Sequence, residues 1–218
     1  MLTKRDKAII KDLNRFRVMD RDSIAELHFS NVKNPKDSTN HVLLRLLRDG
    51  EIQRSKSFIP FVYFGPNVNI KQNSAKIGHF LAILETYKEI RRQGKLTTFL
   101  VEPKYGGKGT VEPDIFCTFR DTHFFIEVQR TLYSEKQMNE KIHRYVDFFH
   151  SGVMIKPFPH ILILSEQRYV IEIDLPFKVF QAQSFTEFIR SLKPKEEQDY
   201  SVPLKVQSNN GVFKLTLK

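Results

Sequence analysis

The chain has 218 residues, of which 40% are hydrophobic, so it can bury the core of one large domain or of two modest ones. No apolar run approaches the length of a membrane-spanning helix, and the N-terminus lacks the apolar core of a signal peptide, so we expect a cytoplasmic protein without membrane partners. The single cysteine, Cys117, excludes an internal disulfide and a cysteine-based zinc cluster.

The formal net charge of +10 favours a polyanionic partner such as nucleic acid, although solubility alone also accounts for a moderate positive charge. The excess is uneven along the chain. Residues 1–72 hold 14 Lys and Arg against 8 Asp and Glu, whereas residues 73–218 hold 21 against 17. The first third is therefore the stronger candidate for a nucleic-acid interface.

Residues 1–72 predict three short helices followed by two strands. Apolar spacing indicates a helix over residues 3–14, and Asp20 suits the N-cap of a second helix. A third helix starts near Asp37 or Ser38 and stops at Gly50. Strands over residues 51–55 and 58–64 then form a hairpin with a basic tip. This order is that of a winged helix-turn-helix domain, whose third helix enters the major groove of DNA.

The predicted third helix and wing supply candidate contacts to double-stranded DNA. Polar and basic side chains on the helix can reach bases or phosphates, and two basic side chains on the wing can contact the backbone. The alternatives are a winged module used for protein contacts and a charged face that is only solvated. The candidate DNA-binding residues are Lys36, Ser38, Thr39, Asn40, His41, Arg45, Arg48, Arg54 and Lys56.

Residues 73–218 predict a mixed α/β domain. Its glycine-rich loop over residues 102–110 lacks the Gly-Lys-Ser/Thr ending of a phosphate-binding P-loop, so we do not expect a nucleotide there. A charged connector is expected over residues 193–201. The predicted helices cover residues 74–92, 134–150 and 184–192. The predicted strands cover residues 97–101, the hairpin 113–130, and residues 160–165, 169–174 and 212–217.

The hairpin over residues 113–130 carries the strongest chemical signal. If the chain folds back about Arg120 and Asp121, strand pairing places Asp114 directly opposite Glu127. Facing Cβ atoms lie about 4.5–5.5 Å apart, and like charges at that separation are destabilising. A divalent cation between the two carboxylates would turn the repulsion into coordination. The sequence therefore predicts a divalent-cation site formed by Asp114 and Glu127.

The order helix, strand, strand, strand, helix, strand, with Pro113-Asp114 and Glu127-Val128-Gln129, resembles the restriction-endonuclease-like superfamily, whose signature is PD followed by (D/E)xK. The resemblance implies that both carboxylates and the intervening carbonyl hold Mg²⁺, and that Glu85 is an acid contributed by the first helix. Gln129 stands where the pattern has lysine. A neutral amide can orient water but supplies no positive charge to the phosphate.

A lysine on the following helix is a candidate substitute. Lys141 and Tyr145 are four residues apart on one helix face, in an arrangement that resembles the QxxxY motif of some members of the superfamily. The alternatives are a solvated lysine, a core tyrosine and, at position 85, an ordinary surface glutamate. The candidate catalytic residues are Asp114, Glu127, Gln129, Lys141, Tyr145 and Glu85.

Taken together, the winged helix and the run from Pro113 to Tyr145 resemble the replication-relaxation protein family over about residues 1–165. Members of that family are associated with plasmids and other mobile elements and are implicated in plasmid replication and DNA relaxation. The resemblance implies a DNA-binding protein that acts in replication or its control and carries a nuclease-like domain. Two alternatives stay open: an active Mg²⁺-dependent DNA endonuclease or nickase, and a transcriptional regulator whose degenerate nuclease fold forms a homodimer.

Overall fold

A computed structural model describes residues 1–107, 109–131, 133–154, 156–171, 174–192, 207–209 and 212–214. Within these ranges the chain is a mixed α and β protein with six helices, a five-stranded sheet, a three-stranded sheet and a two-stranded hairpin. No helix in the described ranges is long and apolar enough to cross a bilayer.

The N-terminal part contains three helices and three short strands. In chain order these are α1 (Lys4–Phe16), β1 (Met19–Asp20), α2 (Arg21–His28), α3 (Pro35–Arg48), β2 (Gln53–Ser55) and β3 (Val62–Phe64). The strands form an antiparallel sheet in the order β1-β3-β2. The three predicted helices and the hairpin are confirmed. Strand β1 was not predicted, because two residues are too few to show alternation.

Side-chain caps explain where the first two helices begin. Thr3 and Asp6 form a capping box at the start of α1, and Asp20 accepts a hydrogen bond of 2.8 Å from the Ser23 amide at the start of α2. Helix α3 begins at Pro35, ahead of the predicted start near Asp37 or Ser38, because proline suits the first helical position.

The larger part of the chain is built on the five-stranded sheet. Its elements are α4 (Lys76–Gln93), β4 (Leu96–Val101), β5 (Ile115–Phe119), β6 (Thr122–Val128), α5 (Glu135–His150), β7 (His160–Leu164), β8 (Val179–Ala182) and α6 (Phe185–Ser191). The sheet order is β4-β5-β6-β7-β8, with β4, β5 and β6 antiparallel and β7 and β8 parallel to β6. From α4 to β7 the element order is the predicted one.

The end of the chain departs from prediction in two ways: β8 and the strand over residues 207–209 were not predicted, and one predicted strand does not form in its described residues. Tyr169 lies in the predicted strand over residues 169–174, but its described part, up to Ile171, forms no strand. The side chain of Gln181, on β8, instead bonds both the amide and the carbonyl of Tyr169, at 2.7 and 2.9 Å. The predicted last strand is confirmed over β10 (Val212–Lys214), which pairs with β9 (Gln207–Asn209). The predicted connector lies outside the described residues.

The β5–β6 hairpin has the predicted register. Ile115 pairs with Ile126, and Phe119 pairs with Thr122. This is the register in which the next pair beyond Ile115 and Ile126 would be Asp114 and Glu127. Arg120 and Asp121 form the two-residue turn, and both have positive φ, 46° and 62°. Positive φ at both positions is typical of the type I′ turns that match the twist of paired strands.

Two cores cover the faces of the five-stranded sheet. Residues of the N-terminal helices, such as Phe16 and Leu43, share a continuous core with Ile83 of α4 and Ile126 of β6. The opposite face packs against α5. Its core includes Phe116, Phe125, Ile142, Phe148 and Ile161. The predicted domains 1–72 and 73–218 are therefore packed against each other through buried apolar surface.

Candidate functional site

The two acids of the hairpin lie together at one end of the five-stranded sheet. Asp114 immediately precedes β5, and its Oδ2 accepts a hydrogen bond of 2.7 Å from the amide of Val128. Glu127 alternates with Phe125 along β6, so its side chain points to the face that α5 covers, and only 1% of the residue is exposed. The carboxylates are thus held by strand pairing and not by a flexible loop.

Two residues of α5 contact Glu127. Lys141 Nζ donates to Oε2, and the buried hydroxyl of Tyr145 donates to Oε1 at 2.5 Å. Lys141 and Tyr145 are four residues apart, so they lie one turn from each other on the helix face that packs on the sheet. Ser134 begins this helix with a capping box, which fixes where that face starts. Lys141 therefore brings a positive charge into the space between α5 and the two acids.

Burial and the positive charge of Lys141 have opposite effects on the pKa values of Glu127 and Asp114. Burial raises the pKa of Glu127 to about 7, because it outweighs the ion pair with Lys141 and the hydrogen bond from Tyr145. Burial also acts to raise the pKa of Asp114, but the hydrogen bond from His79 and the charge of Lys141 outweigh it, so this pKa is lowered. The pKa of Lys141 is raised, because Glu127 and Asp114 outweigh its burial. Near neutral pH the site holds a charged lysine and a charged aspartate beside a glutamate that titrates.

His79 is a member of the site that sequence reasoning missed. Its Nε2 lies 3.2 Å from Oδ1 of Asp114, and the hydrogen bond with Asp114 raises its pKa. His79 precedes Ala82 and Thr86 in an i, i+3, i+7 row on α4. Ala82 and Thr86 line the same cavity as Val128 of β6, so this helical spacing is the signal that could have placed His79 near the end of the sheet. The member of α4 that contacts the acids is therefore His79.

Glu85, the predicted acid of this helix, has other partners. It is exposed, and its carboxylate lies 2.6 Å from Lys88 Nζ and 3.4 Å from Arg92 Nη1. It also lines a cavity of about 390 Å³ at the ends of β6, β7 and β8. The structure thus brings Asp114, Glu127, Lys141 and Tyr145 together, while Glu85 forms its ion pairs along α4.

Gln129 lies one residue beyond β6 and lines the same cavity. Its backbone amide donates to the Leu164 carbonyl at 2.9 Å, which continues the parallel pairing of β6 with β7. Both polar atoms of its side chain are buried and have no hydrogen-bond partner among the described residues. An amide with free donor and acceptor capacity can orient water or a ligand, but it does not replace the charge of a lysine.

The donor set of the acidic site suits Mg²⁺ in part. Two carboxylates offer the hard oxygen ligands that Mg²⁺ prefers, and proteins commonly hold this ion through one or two carboxylates plus substrate phosphates. Each carboxylate has about four lone-pair sites, so Glu127 can accept a further ligand beside Lys141 and Tyr145. No group of three or more His, Cys, Asp or Glu residues in the described ranges could hold a metal ion. Mg²⁺ bound by the pair Asp114 and Glu127 therefore stays a prediction.

The candidate DNA-binding residues divide into an exposed set and an internal set. Lys36, His41, Arg48 and Lys56 are exposed, and Ser38, Asn40 and Arg54 are half-buried. Thr39 is fully buried and donates its hydroxyl to the Pro35 carbonyl at 2.7 Å, so it does not lie on the outer face of α3. Its position four residues before the buried Leu43 was the signal for this.

Arg45 is half-buried and forms an ion pair with a buried acid. Its Nη2 lies 2.7 Å from Oδ1 of Asp6, which is 1% exposed. Burial acts to raise the pKa of Asp6, but hydrogen bonds from Thr3 and Arg45 outweigh it and lower the pKa. Arg45 thus joins α3 to α1, whereas the side chain of Arg48 is 75% exposed and lies beside Asp49.

Comparisons of this chain with protein-family models, with curated proteins and with solved structures gave no match. The resemblance to the replication-relaxation family therefore stays a prediction. The acidic site and the exposed face of α3 are the two features from which function can be inferred.

Proposed function

We propose that this protein binds double-stranded DNA through residues 1–72 and acts in the replication, or the control of replication, of a plasmid or other mobile element. The observation that carries the proposal is the exposed basic side of α3 next to the β2–β3 hairpin. The order helix, strand, helix, helix, strand, strand agrees with a winged helix-turn-helix, in which α3 enters the major groove and the hairpin is the wing.

Charge supports the same interface. Lys36 and Arg48 lie at the two ends of α3, and Lys56 lies in the connection between β2 and β3. All three side chains are exposed, so they are free to contact phosphates. Each phosphate contact releases condensed counterions, which makes the affinity fall steeply with salt.

Charge reversal on both parts of this interface tests DNA binding. The double variant Lys36→Glu/Lys56→Glu should weaken binding of the full chain to a 24-base-pair duplex by at least about tenfold, because two phosphate contacts become repulsive. Fluorescence anisotropy over a range of salt concentrations measures both the affinity and its salt dependence. We expect a shallower salt dependence for the variant, with about one counterion fewer per lost contact.

The matched control reverses two exposed basic residues elsewhere. Lys156→Glu/Arg168→Glu changes the net charge by the same amount, and both residues lie on loops of the larger part of the chain. This control should bind DNA within about twofold of the parent, beyond a small effect of net charge. Equal losses in the two double variants, or no salt-dependent DNA binding by the parent, would contradict the proposal.

A second candidate function, a metal-dependent DNA endonuclease or nickase, is favoured by the facing pair Asp114 and Glu127 with Lys141 beside it. Mg²⁺, when bound, neutralises charge on the phosphate and activates water for hydrolysis. Asp114 and Glu127 would hold the ion. Lys141 supplies the positive charge that Gln129 lacks, since it lies next to both carboxylates. Tyr145 fixes the orientation of Glu127 through its hydrogen bond.

Supercoiled plasmid incubated with the protein and Mg²⁺ or Mn²⁺ tests this second function. We expect conversion to the open-circular form, and loss of that activity in Asp114→Asn and in Glu127→Gln. Asp121→Asn is the matched control, because Asp121 lies at the exposed turn of the same hairpin. Absence of nicking, or equal nicking by all variants, would rule out hydrolysis at this site and leave DNA binding as the function.

A further inference from the structure

The outer side of α3 carries an apolar residue between polar and basic ones. Lys36, Asn40, Leu44 and Arg48 follow each other at steps of four residues, which forms one row along the helix. Leu44 is 57% exposed, although it lies at the centre of this row. The opposite side of the helix buries Thr39, Leu43 and Leu46.

A cleft of about 480 Å³ separates this row from the connection between β2 and β3. Ile59 and Phe61 form an apolar wall on the hairpin side, and Ile59 is 97% exposed. The guanidinium of Arg54 lies 4.6 Å from the centre of the Phe61 ring, which holds the charge at the edge of the cleft. The remaining lining residues are Arg21, Asn40, Leu44, Pro60 and Tyr63.

This combination of an apolar centre and a basic rim indicates the occupant. Contiguous exposed apolar side chains mark interaction surfaces, and arginines at the rim favour an anionic partner. The major groove of duplex DNA offers both features, because thymine methyl groups line its floor and phosphates line its edges.

The length of the row matches the width of that groove. Lys36 and Arg48 are twelve residues apart, which corresponds to about 18 Å along the helix axis. The major groove is about 12 Å wide, so the two basic side chains can reach phosphates on either side of it. Asn40 and Leu44 then face the base edges from the middle of the helix.

We propose that Asn40 and Leu44 are specificity-determining residues that select A·T pairs in the major groove, an inference that rests on the proposed DNA binding. The NH₂ group of the Asn40 side chain can donate a hydrogen bond to N7 of adenine, and its amide oxygen can accept one from the N6 amino group. Leu44 packs on the C5-methyl group of thymine, which cytosine lacks. The two residues are one helical turn apart, so they read the same or adjacent base pairs.

Selection from a library of randomised duplexes tests this preference in the full-length chain. The parent should enrich duplexes that share a short A·T-containing core. On the best selected duplex, Asn40→Ala and Leu44→Ala should each weaken binding about tenfold, because one base contact is lost. On a scrambled duplex of equal length both variants should bind like the parent, which also shows that they are folded.

Modified bases separate the two contacts. Replacing the core thymines by uracil removes the methyl groups and should weaken the parent several-fold, but it should leave Leu44→Ala unchanged. Replacing the core adenines by 7-deazaadenine should weaken the parent and leave Asn40→Ala unchanged. The matched controls are Leu192→Ala, whose side chain is 56% exposed elsewhere, and Asn69→Ala.

The outcomes distinguish this inference from the function on which it rests. Salt-dependent binding without any enriched A·T core, or equal sequence preference in the parent and both variants, overturns the reading of bases by Asn40 and Leu44 and leaves DNA binding intact. Failure of the parent to bind any duplex overturns both.

Discussion

The acidic site and the outer side of α3 both concentrate charge, but they differ in where the opposite charge lies. At the acidic site the compensation is internal: Lys141 pairs with Glu127, and His79 pairs with Asp114. Along α3, Lys36 and Arg48 are exposed, and the ion-pair partner of Arg48 within the described part of the chain is its neighbour Asp49. Buried charges cost several kcal/mol unless they are paired, whereas exposed ones need no protein partner. Internal pairing thus offsets part of the cost of burying the acids, while exposed surface charge is available to an external polyanion.

The variant with the largest expected effect on stability removes Lys141, the cation of the acidic site. Lys141→Met should lower the free energy of unfolding by about 3–5 kcal/mol, because Glu127 and Asp114 then face each other without the positive charge. Urea unfolding at pH 8 measures the loss. Lys136→Met is the matched control, since Lys136 is exposed on the first turn of the same helix. Similar stability of the two variants would mean that Lys141 does not compensate the acids.

A second test uses the pH dependence of Glu127. Its pKa of about 7 in the folded protein lies above the ordinary value of 4.5, so the folded state holds a proton that the unfolded state releases. Its contribution to stability is therefore present below pH 4.5 and is lost as pH rises to about 7. Glu127→Gln mimics the protonated form, so its stability should not fall through titration at this position as the pH rises.

The expected result is a change in relative stability with pH. Compared with Glu127→Gln, the parent should lose up to roughly 3 kcal/mol between pH 4.5 and pH 8, measured by urea unfolding at several pH values. Glu112→Gln, at an exposed position ahead of the hairpin, is the control and should follow the parent. A constant difference between the parent and Glu127→Gln would show that folding does not raise the pKa of Glu127.

The third test concerns Arg45 of α3, whose charge is paired with a buried acid, as at the acidic site. Arg45→Met should lower the free energy of unfolding by about 2 kcal/mol, because it removes a charged hydrogen bond from the buried Asp6. Lys11→Met, at an exposed position of α1, is the control. If both variants unfold at the same urea concentration, the pair between α1 and α3 does not stabilise the fold.

Local patterns explain which parts of this molecule the sequence could predict. The register of β5 and β6 follows from strand alternation and a two-residue turn at Arg120 and Asp121, so the location of Asp114 and Glu127 at the same end of the hairpin was predictable. The starts of α1 and α2 follow from the caps at Thr3 and Asp20. Each of these features depends on residues close together in sequence.

The features that escaped prediction depend on packing between distant elements. His79 meets Asp114 only because α4 lies across the end of the sheet, and Arg45 turns inward only because Asp6 of α1 is buried beside it. Strand β8 is identified by its pairing with β7 and not by a pattern in its own four residues. The outward direction of a polar residue on a helix therefore cannot be assumed from its polarity.

The smallest expected effect on stability comes from the neighbour of Arg45 on the same helix. Arg48→Met should change the free energy of unfolding by less than about 0.5 kcal/mol, because the side chain is exposed and its pairing with Asp49 is solvated. Its effect should appear in DNA binding, where one lost phosphate contact lowers affinity several-fold and reduces the salt slope by about 1. Arg168→Met is the control in both measurements. If Arg48→Met loses stability but binds DNA like the parent, Arg48 stabilises the fold and does not contact DNA. The contrast between charges paired inside the protein and charges that face solvent would then not hold for α3.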